Sequence, residues 1–306
     1  MELRHLRYFL KIAETLSFTR AAGALHITQP TLSHQIRQLE RETGQLFDRT
    51  QRTVRLTAHG KVFKTYAERA IKEVETGLNA LSELDGLVQG RLTVGVYRSF
   101  SSSPLPPVLA RFSRTYPGVK LFVREANHLE LGQRVIDGSL DLAVAYGPAV
   151  SEKVFVEQIF TESLALVVGK QHLFYGRPRI SLNQLDGQPL VLVNPESRTR
   201  QLIDRWLDAR GIAPRVMIEM NSNEAVLAMV RCNTVGTICP ARTLANTPDL
   251  HAVRLPDPPL KRSTVILWRR DSYRSAAARV VAQMVKDAYA SAAESQYPAP
   301  SMRGAR

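Results

Sequence analysis

Apolar positions recur along this chain in three successive rhythms. Between residues 6 and 39 they keep helical spacing: Leu6, Phe9, Leu10 and Ala13 share one face, and Leu32, Ile36 and Leu39 fall at i, i+4 and i+7. From Phe63 onward the steps of four and three alternate through Ala67, Ala70, Val74, Gly77, Leu81, Leu84 and Val88. That is a heptad seam, which implies a partner helix. Beyond Gly90, apolar runs of strand length alternate with helical stretches. This predicts an α/β architecture with mostly parallel sheets.

The first rhythm divides into short helices. Ser17 is a natural N-cap for a helix whose small Ala21, Ala22 and Ala24 allow close packing. A second helix, 28–43, starts near Thr28 with Pro30 in its opening turn, where a missing N–H costs nothing. Opposite its apolar stripe lie Pro30, Thr31, Ser33, His34, Arg37 and Arg41. Hydroxyl, amide, imidazole and guanidinium groups near a helix start suit the base edges and phosphates of a major groove. The same face also fits an ordinary solvent-exposed helix. Phe47 to Leu56 reads as a hairpin carrying Arg49, Arg52 and Arg55, and no acidic residue occurs from Arg49 through Ala67. Such a basic ribbon suits phosphates flanking a groove. Thr57 is a plausible cap for the seam helix and Gly90 a stop; about 30 residues at ~1.5 Å each would span about 45 Å.

In the α/β part the pattern predicts strands at 92–96, 119–125, 140–145, 190–193, 216–220 and 234–238, with helices at 105–116, 129–137, 200–210 and 224–231. Strands 163–168 and 265–268 read as crossovers between two lobes, followed by a helix at 276–289. Residues 291–306, rich in Ser, Ala, Pro and Gly, read as a disordered tail.

Length and charge fit a small domain joined to a larger one. The chain has 306 residues and a formal net charge of +13, which favours polyanionic partners. Residues 1–90 carry 13 basic and 10 acidic side chains and residues 91–306 carry 28 and 18, so bulk charge does not locate a site. No apolar run resembles a signal peptide or membrane span, and a cytoplasmic location is expected. Cys232 and Cys239 read as reduced, core-filling residues. Nucleophile elbow, metalloprotease and phosphate-loop motifs are missing and the seven histidines are scattered, so neither enzyme activity nor a metal or cofactor is expected.

Three loops that follow strands and precede helices are rich in donors: 98–103, with Ser99, Phe100, Ser101, Ser102 and Ser103; 194–200, with Arg198, Thr199 and Arg200; and 221–223, with Asn221. In open α/β sheets ligands sit at such places, and helix N-termini favour anions. Each loop taken alone is also an ordinary cap or turn. His128, Tyr146 and Pro148 are candidates for the same cleft, His128 equally for a surface cap.

The spaced motifs Leu6-x-x-Phe9, Ser17-Phe18-Thr19-x-Ala21-Ala22, Leu25-x-Ile27-x-Gln29-Pro30-x-Leu32-Ser33, Ile36-x-x-Leu39-Glu40, Leu46-Phe47-x-Arg49 and Leu56-Thr57-x-x-Gly60 resemble the winged helix-turn-helix of LysR-type bacterial transcription regulators. The family's order continues through the chain apart from the tail. The resemblance implies a winged helix-turn-helix domain at 1–58, a dimerisation helix at 59–89 and a two-lobed, periplasmic-binding-protein-like α/β effector domain at 90–290. Lobe I would comprise 90–162 and 268–290, and lobe II 163–267. It further implies a homodimer or homotetramer on an inverted-repeat duplex site, with RNA polymerase as a candidate partner. Thr19, Gln29, Pro30, Thr31, Ser33, His34 and Arg37 would lie at the groove, and Arg49, Arg52 and Arg55 on phosphates. Peroxide-sensing members switch through two cysteines in the same lobe, but the spacing here is shorter. The stretch from Phe160 to Val168 is similar to the regulator of a cyanate-detoxification operon, which suggests a small anion such as cyanate as effector; an aromatic or other organic acid is the alternative.

Overall fold

The computed structural model describes residues 1–49, 54–84, 89–97, 100, 105–148, 151–244 and 247–293. The chain divides into two compact units, the first built on 1–90 and the second on 91–135 and 140–306.

Three helices make the body of the first unit: α1 (Leu3–Thr15), α2 (Phe18–Ala24) and α3 (Gln29–Thr43). Caps set the starts of the last two. The Ser17 side chain accepts from the Arg20 amide and Thr28 from the Thr31 amide, with Pro30 in the opening turn of α3. The stripe Leu32, Ile36 and Leu39 is fully buried with Phe9, Ile12, Ala21 and Phe47. Each such aliphatic side chain contributes about 1.5–3 kcal/mol of burial. A two-residue pair of strands follows, β1 (Phe47–Asp48) with β2 (Arg55–Leu56), antiparallel with Phe47 opposite Leu56. The long helix α4 (Ala58–Leu84) starts where the Thr57 hydroxyl accepts from the Gly60 amide at 3.0 Å. Gly60 is needed there, because a Cβ would come within 2.1 Å of the Leu46 carbonyl oxygen.

The second unit is one continuous sheet of β3 (Gly90–Tyr97), β4 (Val119–Ala126), β5 (Leu142–Tyr146), β6 (Val154–Gly169), β7 (Pro189–Val193), β8 (Arg215–Met220), β9 (Gly236–Pro240), β10 (Leu250–Arg254) and β11 (Lys261–Arg269). Its order is β4-β3-β5-β11-β6-β9-β7-β8, with β10 also paired to β6. Helices α5 (Leu105–Thr115), α6 (His128–Ile136), α7 (Leu182–Leu185), α8 (Arg198–Asp208), α9 (Asn223–Cys232) and α10 (Ala276–Ala293) complete it.

The sheet is mixed, which corrects the expectation of mostly parallel pairing. β3 with β5, and β7 with β8 and β9, are parallel. The pairs made by the two strands at the lobe junction are antiparallel: β11 with β5, and β6 with β11, β9 and β10. The reason is β6, a 16-residue strand whose first half pairs with β11 in lobe I and whose second half pairs with β9 and β10 in lobe II. Its first half lacks clean polar alternation, so the pattern marks only residues 163–168. β10 and α7 are likewise additions to the expected elements. The expected tail falls largely on 294–306, outside the described residues. Among the described residues no helix is long and apolar enough to cross a membrane.

Candidate nucleic-acid interface and ligand cleft

On α3 the residues opposite the buried stripe form a continuous polar surface. Gln29, Pro30, Thr31, His34 and Arg37 are exposed, Ser33 is half-buried, and Thr19 on α2 is exposed. They are linked among themselves. Gln29 Nε2 donates to Ser33 Oγ at 2.9 Å, the Thr28 and Thr31 hydroxyls lie 2.8 Å apart, and Arg37 Nε donates to the Ser33 carbonyl at 3.4 Å. One α3 side chain, named above only as part of a motif, ties this helix to the hairpin. Glu40 Oε1 accepts from the Leu46 and Phe47 amides at 2.9 and 3.1 Å, and Oε2 accepts from Arg49 at 2.7 Å. Arg49 also covers the Phe18 ring at 4.7 Å, so its charge is engaged within the unit. Arg55 is exposed, and Arg52 lies outside the described residues.

The heptad seam needs correction at its start. Phe63 and Ala67 turn into the core of the first unit, with Ala67 buried and Phe63 in edge contact with Phe9 at 5.1 Å. Of the seam, Ala70, Val74 and Leu81 stay exposed, and Val62, Tyr66 and Leu78 are exposed large apolar side chains outside it. Steps of four dominate because the helix must satisfy its own unit on one side. Leu84, as a side chain, and Val88 lie outside what is described.

In the second unit, the C-terminal ends of four strands meet the N-caps of three helices around one cavity of about 150 Å³. Tyr97, Ala126 and Asn127 line it from lobe I, and Val193, Asn194, Glu196, Ser197, Asn221, Ser222, Asn223 and Glu224 from lobe II. Asn127 Oδ1 accepts from the Glu130 amide at 2.9 Å and Ser222 Oγ from the Ala225 amide at 3.3 Å, which fixes the openings of α6 and α9. Ser197, the N-cap of α8, makes no such side-chain cap; its hydroxyl is instead 3.4 Å from Tyr97 Oη. The spacing Asn127 to Glu130 is a readable cap signal. Tyr97, Glu196 and Glu224 carry no comparable one.

The expected cleft residues separate. Asn221 lines the cavity, whereas Ser99, Ser101, Ser102 and Ser103 lie outside the described residues. Phe100 and Tyr146 are buried rather than in the cleft, their rings stacked at 4.8 Å, because a ring between sheet and α10 gains more from packing than from water. Thr199 is buried too, its hydroxyl accepting from Arg262 at 2.8 Å. Arg198 is half-buried beside it, and Arg200 is held by Asp204, Glu219 and the Val193 carbonyl. His128 is not a surface cap: it is 3 % exposed, with Nε2 3.1 Å from the Pro148 carbonyl. Burial, and then the nearby Arg198 charge, hold its pKa below the ordinary imidazole value against the raising effect of that hydrogen bond.

Cys232 is exposed at the end of α9, which corrects its placement in the core. Cys239 is half-buried, and desolvation pushes its thiol up to about 11, outweighing the hydrogen bond with Thr243 and the Arg262 charge. A protonated thiol is a poor nucleophile. Among the described residues no group of His, Cys, Asp and Glu could hold a metal ion.

Two family models match the chain: the bacterial regulatory helix-turn-helix of the lysR family over residues 3–61, and the LysR substrate binding domain over 85–290. The regulator AlsR of Bacillus subtilis is 30% identical over 278 residues, 89% of this chain and 92% of its own length. A probable RuBisCO transcriptional regulator of Trieres chinensis is 29% identical, covering 90% of this chain and 93% of its own. Among solved structures, a full-length OxyR variant from Pseudomonas aeruginosa has a TM-score of 0.71 at 22% identity, covering 94% of each chain. CbnR complexed with its target DNA has a TM-score of 0.68 at 23% identity, covering 94% of this chain and 100% of that one. These two likenesses establish the shared fold.

Proposed function

Because this chain belongs to the LysR family of bacterial transcription regulators, we propose that it reads a promoter site through α3 and changes that grip when a small molecule enters the cleft. It is a DNA-binding transcription regulator with an effector-binding domain, and the relatives named above are regulators rather than enzymes. The observation that carries the reading at the head is the division of α3. One side is sealed into the core, and the other offers Gln29, Thr31, Ser33, His34 and Arg37 as a surface of mixed donors and acceptors. Such a surface can hydrogen-bond base edges, while Arg55, together with Arg52 by sequence, suits flanking phosphates. Arg49 is less available, being paired with Glu40.

Two substitutions test this division of labour. Ser33→Ala is expected to relax base preference at its contact, and Arg55→Ala to weaken binding to all sequences alike and lower the salt slope by about one unit. Fluorescence anisotropy across a salt series reads both. Unchanged slope in Arg55→Ala would remove the hairpin from the phosphate contact.

Pairing through α4 gives the two-fold assembly that an inverted repeat requires. The exposed Tyr66, Val74, Leu78 and Leu81 are the surface for it, with dimer or tetramer as the outcome. Leu78→Glu places a charge in that surface and is expected to raise the dissociation constant of the assembly about tenfold or more, as measured by sedimentation equilibrium. Unaltered assembly would place the interface elsewhere.

For the effector, the sequence suggests a small anion such as cyanate or, alternatively, an aromatic or other organic acid. Cavity size favours the second. A space of about 150 Å³ matches the volume that accommodates a six-membered ring, far more than a three-atom anion fills. The described lining carries amides, hydroxyls and two carboxylates but no basic side chain, so charge alone does not select an anion. An effector that binds one lobe arrangement better than another shifts the population, and that differential affinity is the switch.

A further inference from the structure

Glu162 and Arg262 face each other on β6 and β11 where β6 changes partners, pairing with β11 up to Ser163 and with β9 from Leu164. The lobes join there. The Arg262 guanidinium is buried at this junction and engaged on every side. Nε and Nη2 donate to Glu162 Oε1 at 3.1 and 2.6 Å, Nη1 donates to Thr199 Oγ1 at 2.8 Å, and Cζ lies 3.7 Å from the Tyr146 ring centroid. Two of these partners lead to opposite walls of the cleft. Thr199 stands in the first turn of α8, two residues after Ser197, which lines the cavity from lobe II. Tyr146 ends β5, and its ring contacts that of Tyr97, 5.5 Å between centroids, which lines the cavity from lobe I. One side chain therefore holds both walls from behind. Strand pairing alone leaves the angle between the lobes soft, because the twist between neighbouring strands varies. A planar fork with donors in fixed directions does not, since it reaches Glu162 and Thr199 together only while α8 keeps its place against the junction.

We propose that Arg262 is the clasp that sets the angle between the two lobes and with it the width of the cleft. Holding Thr199 against Tyr146, it keeps the Ser197 wall in register with the Tyr97 wall. When the bond to Thr199 is given up, α8 moves relative to lobe I while the strands stay paired. Arg262 is a positioning residue, acting through α8 rather than on a ligand. The two arrangements differ by one charge-assisted hydrogen bond, which a ligand that prefers one of them can offset.

Double electron–electron resonance on the full-length protein reads that angle. One spin label sits on Cys232, exposed at the end of α9 in lobe II, and the other on Arg111→Cys, an exposed position of α5 in lobe I. Cys239, half-buried with its thiol protonated, stays unlabelled. Dilution with unlabelled chains leaves only distances within one chain. Thr199→Val keeps the shape but removes the acceptor, and is expected to shift or broaden the distance distribution by about 2 Å or more, the scale of a domain rearrangement. Thr199→Ser restores the hydroxyl and should return the distribution of the unaltered chain. Arg262→Lys keeps a charge beside Glu162 but has no fork to span both partners, so it should behave as Thr199→Val does, and it decides the matter should Thr199→Val not fold. An unchanged distribution in either variant overturns the proposal even where the urea midpoint falls, because the network then only stabilises the fold. A change in Thr199→Val that Thr199→Ser fails to reverse overturns it as well. Neither effector nor DNA enters the measurement, so its outcome is independent of whether the cleft is the effector site.

Discussion

Replacing Glu162 by alanine is expected to destabilise the second unit by about 3–5 kcal/mol. Glu162 is 2 % exposed and holds two guanidinium groups, Arg262 at 2.6 Å through Oε1 and Arg242 at 2.5 Å through Oε2. The cluster already has one more positive charge than negative, and Arg242 Nη1 has no hydrogen-bond partner. The surplus is tolerated because rings face both cations. Arg262 lies 3.7 Å from the Tyr146 centroid, and Arg242 lies 4.8 Å from Tyr289 and 5.4 Å from Phe160. Remove the carboxylate and two cations remain, 9% and 15% exposed, without the Glu162 charge that neutralises one of them. Arg262→Leu should cost less, since Glu162 then keeps Arg242. Urea unfolding followed by tryptophan fluorescence measures this cleanly, because the only two tryptophans, Trp206 and Trp268, both sit in the second unit. A loss below about 1 kcal/mol, the range of exposed pairs, would show that water reaches the cluster.

That cluster also shows where sequence reading stops. Glu162 and Arg262 are 100 positions apart and neighbour each other only because β6 and β11 pair antiparallel across the lobes. Nothing local in either segment announces the pairing. The core of the first unit was legible because Leu32, Ile36 and Leu39 are set by a period within one helix, and because the caps Ser17 and Thr28 act on amides three positions away. Glu40 stands in the spaced motif, but its tie to the hairpin is not readable there: its partners, the Leu46 and Phe47 amides, lie across a turn whose geometry no period encodes. The heptad pattern marks an apolar seam but does not name its partner, and Phe63 and Ala67 serve the core of their own unit. Two surfaces compete for one helix, and a repeat alone does not say which wins. In the cleft the capping residues were within reach of the sequence. The depth of Phe100, Tyr146 and His128 was not, since burial is decided by what packs over a residue from elsewhere in the chain.

Phe9→Ala should remove about 3–5 kcal/mol from the first unit and with it most of the DNA affinity. Phe9 is fully buried where three elements meet, its ring 5.2 Å from Phe47 of β1 and 5.1 Å from Phe63 of α4, with Phe18 of α2 completing the cluster at 5.7 Å from Phe47. A unit of roughly 90 residues holds on the order of 5–13 kcal/mol in total, so this loss leaves little in reserve. The cavity cannot close easily, because Phe47 is fixed by the hydrogen bond its backbone amide donates to Glu40 and α4 by its start beneath Leu46. Since α3 is positioned by the same core, the groove-facing side chains should lose their alignment even though none is altered. The second unit should be untouched: the tryptophan transition stays where it is, while far-ultraviolet circular dichroism shows an earlier helical melt and anisotropy shows the loss of DNA binding. If the helical melt and the tryptophan transition instead moved together, the two units would unfold as one, and the independence assumed for the first would be wrong.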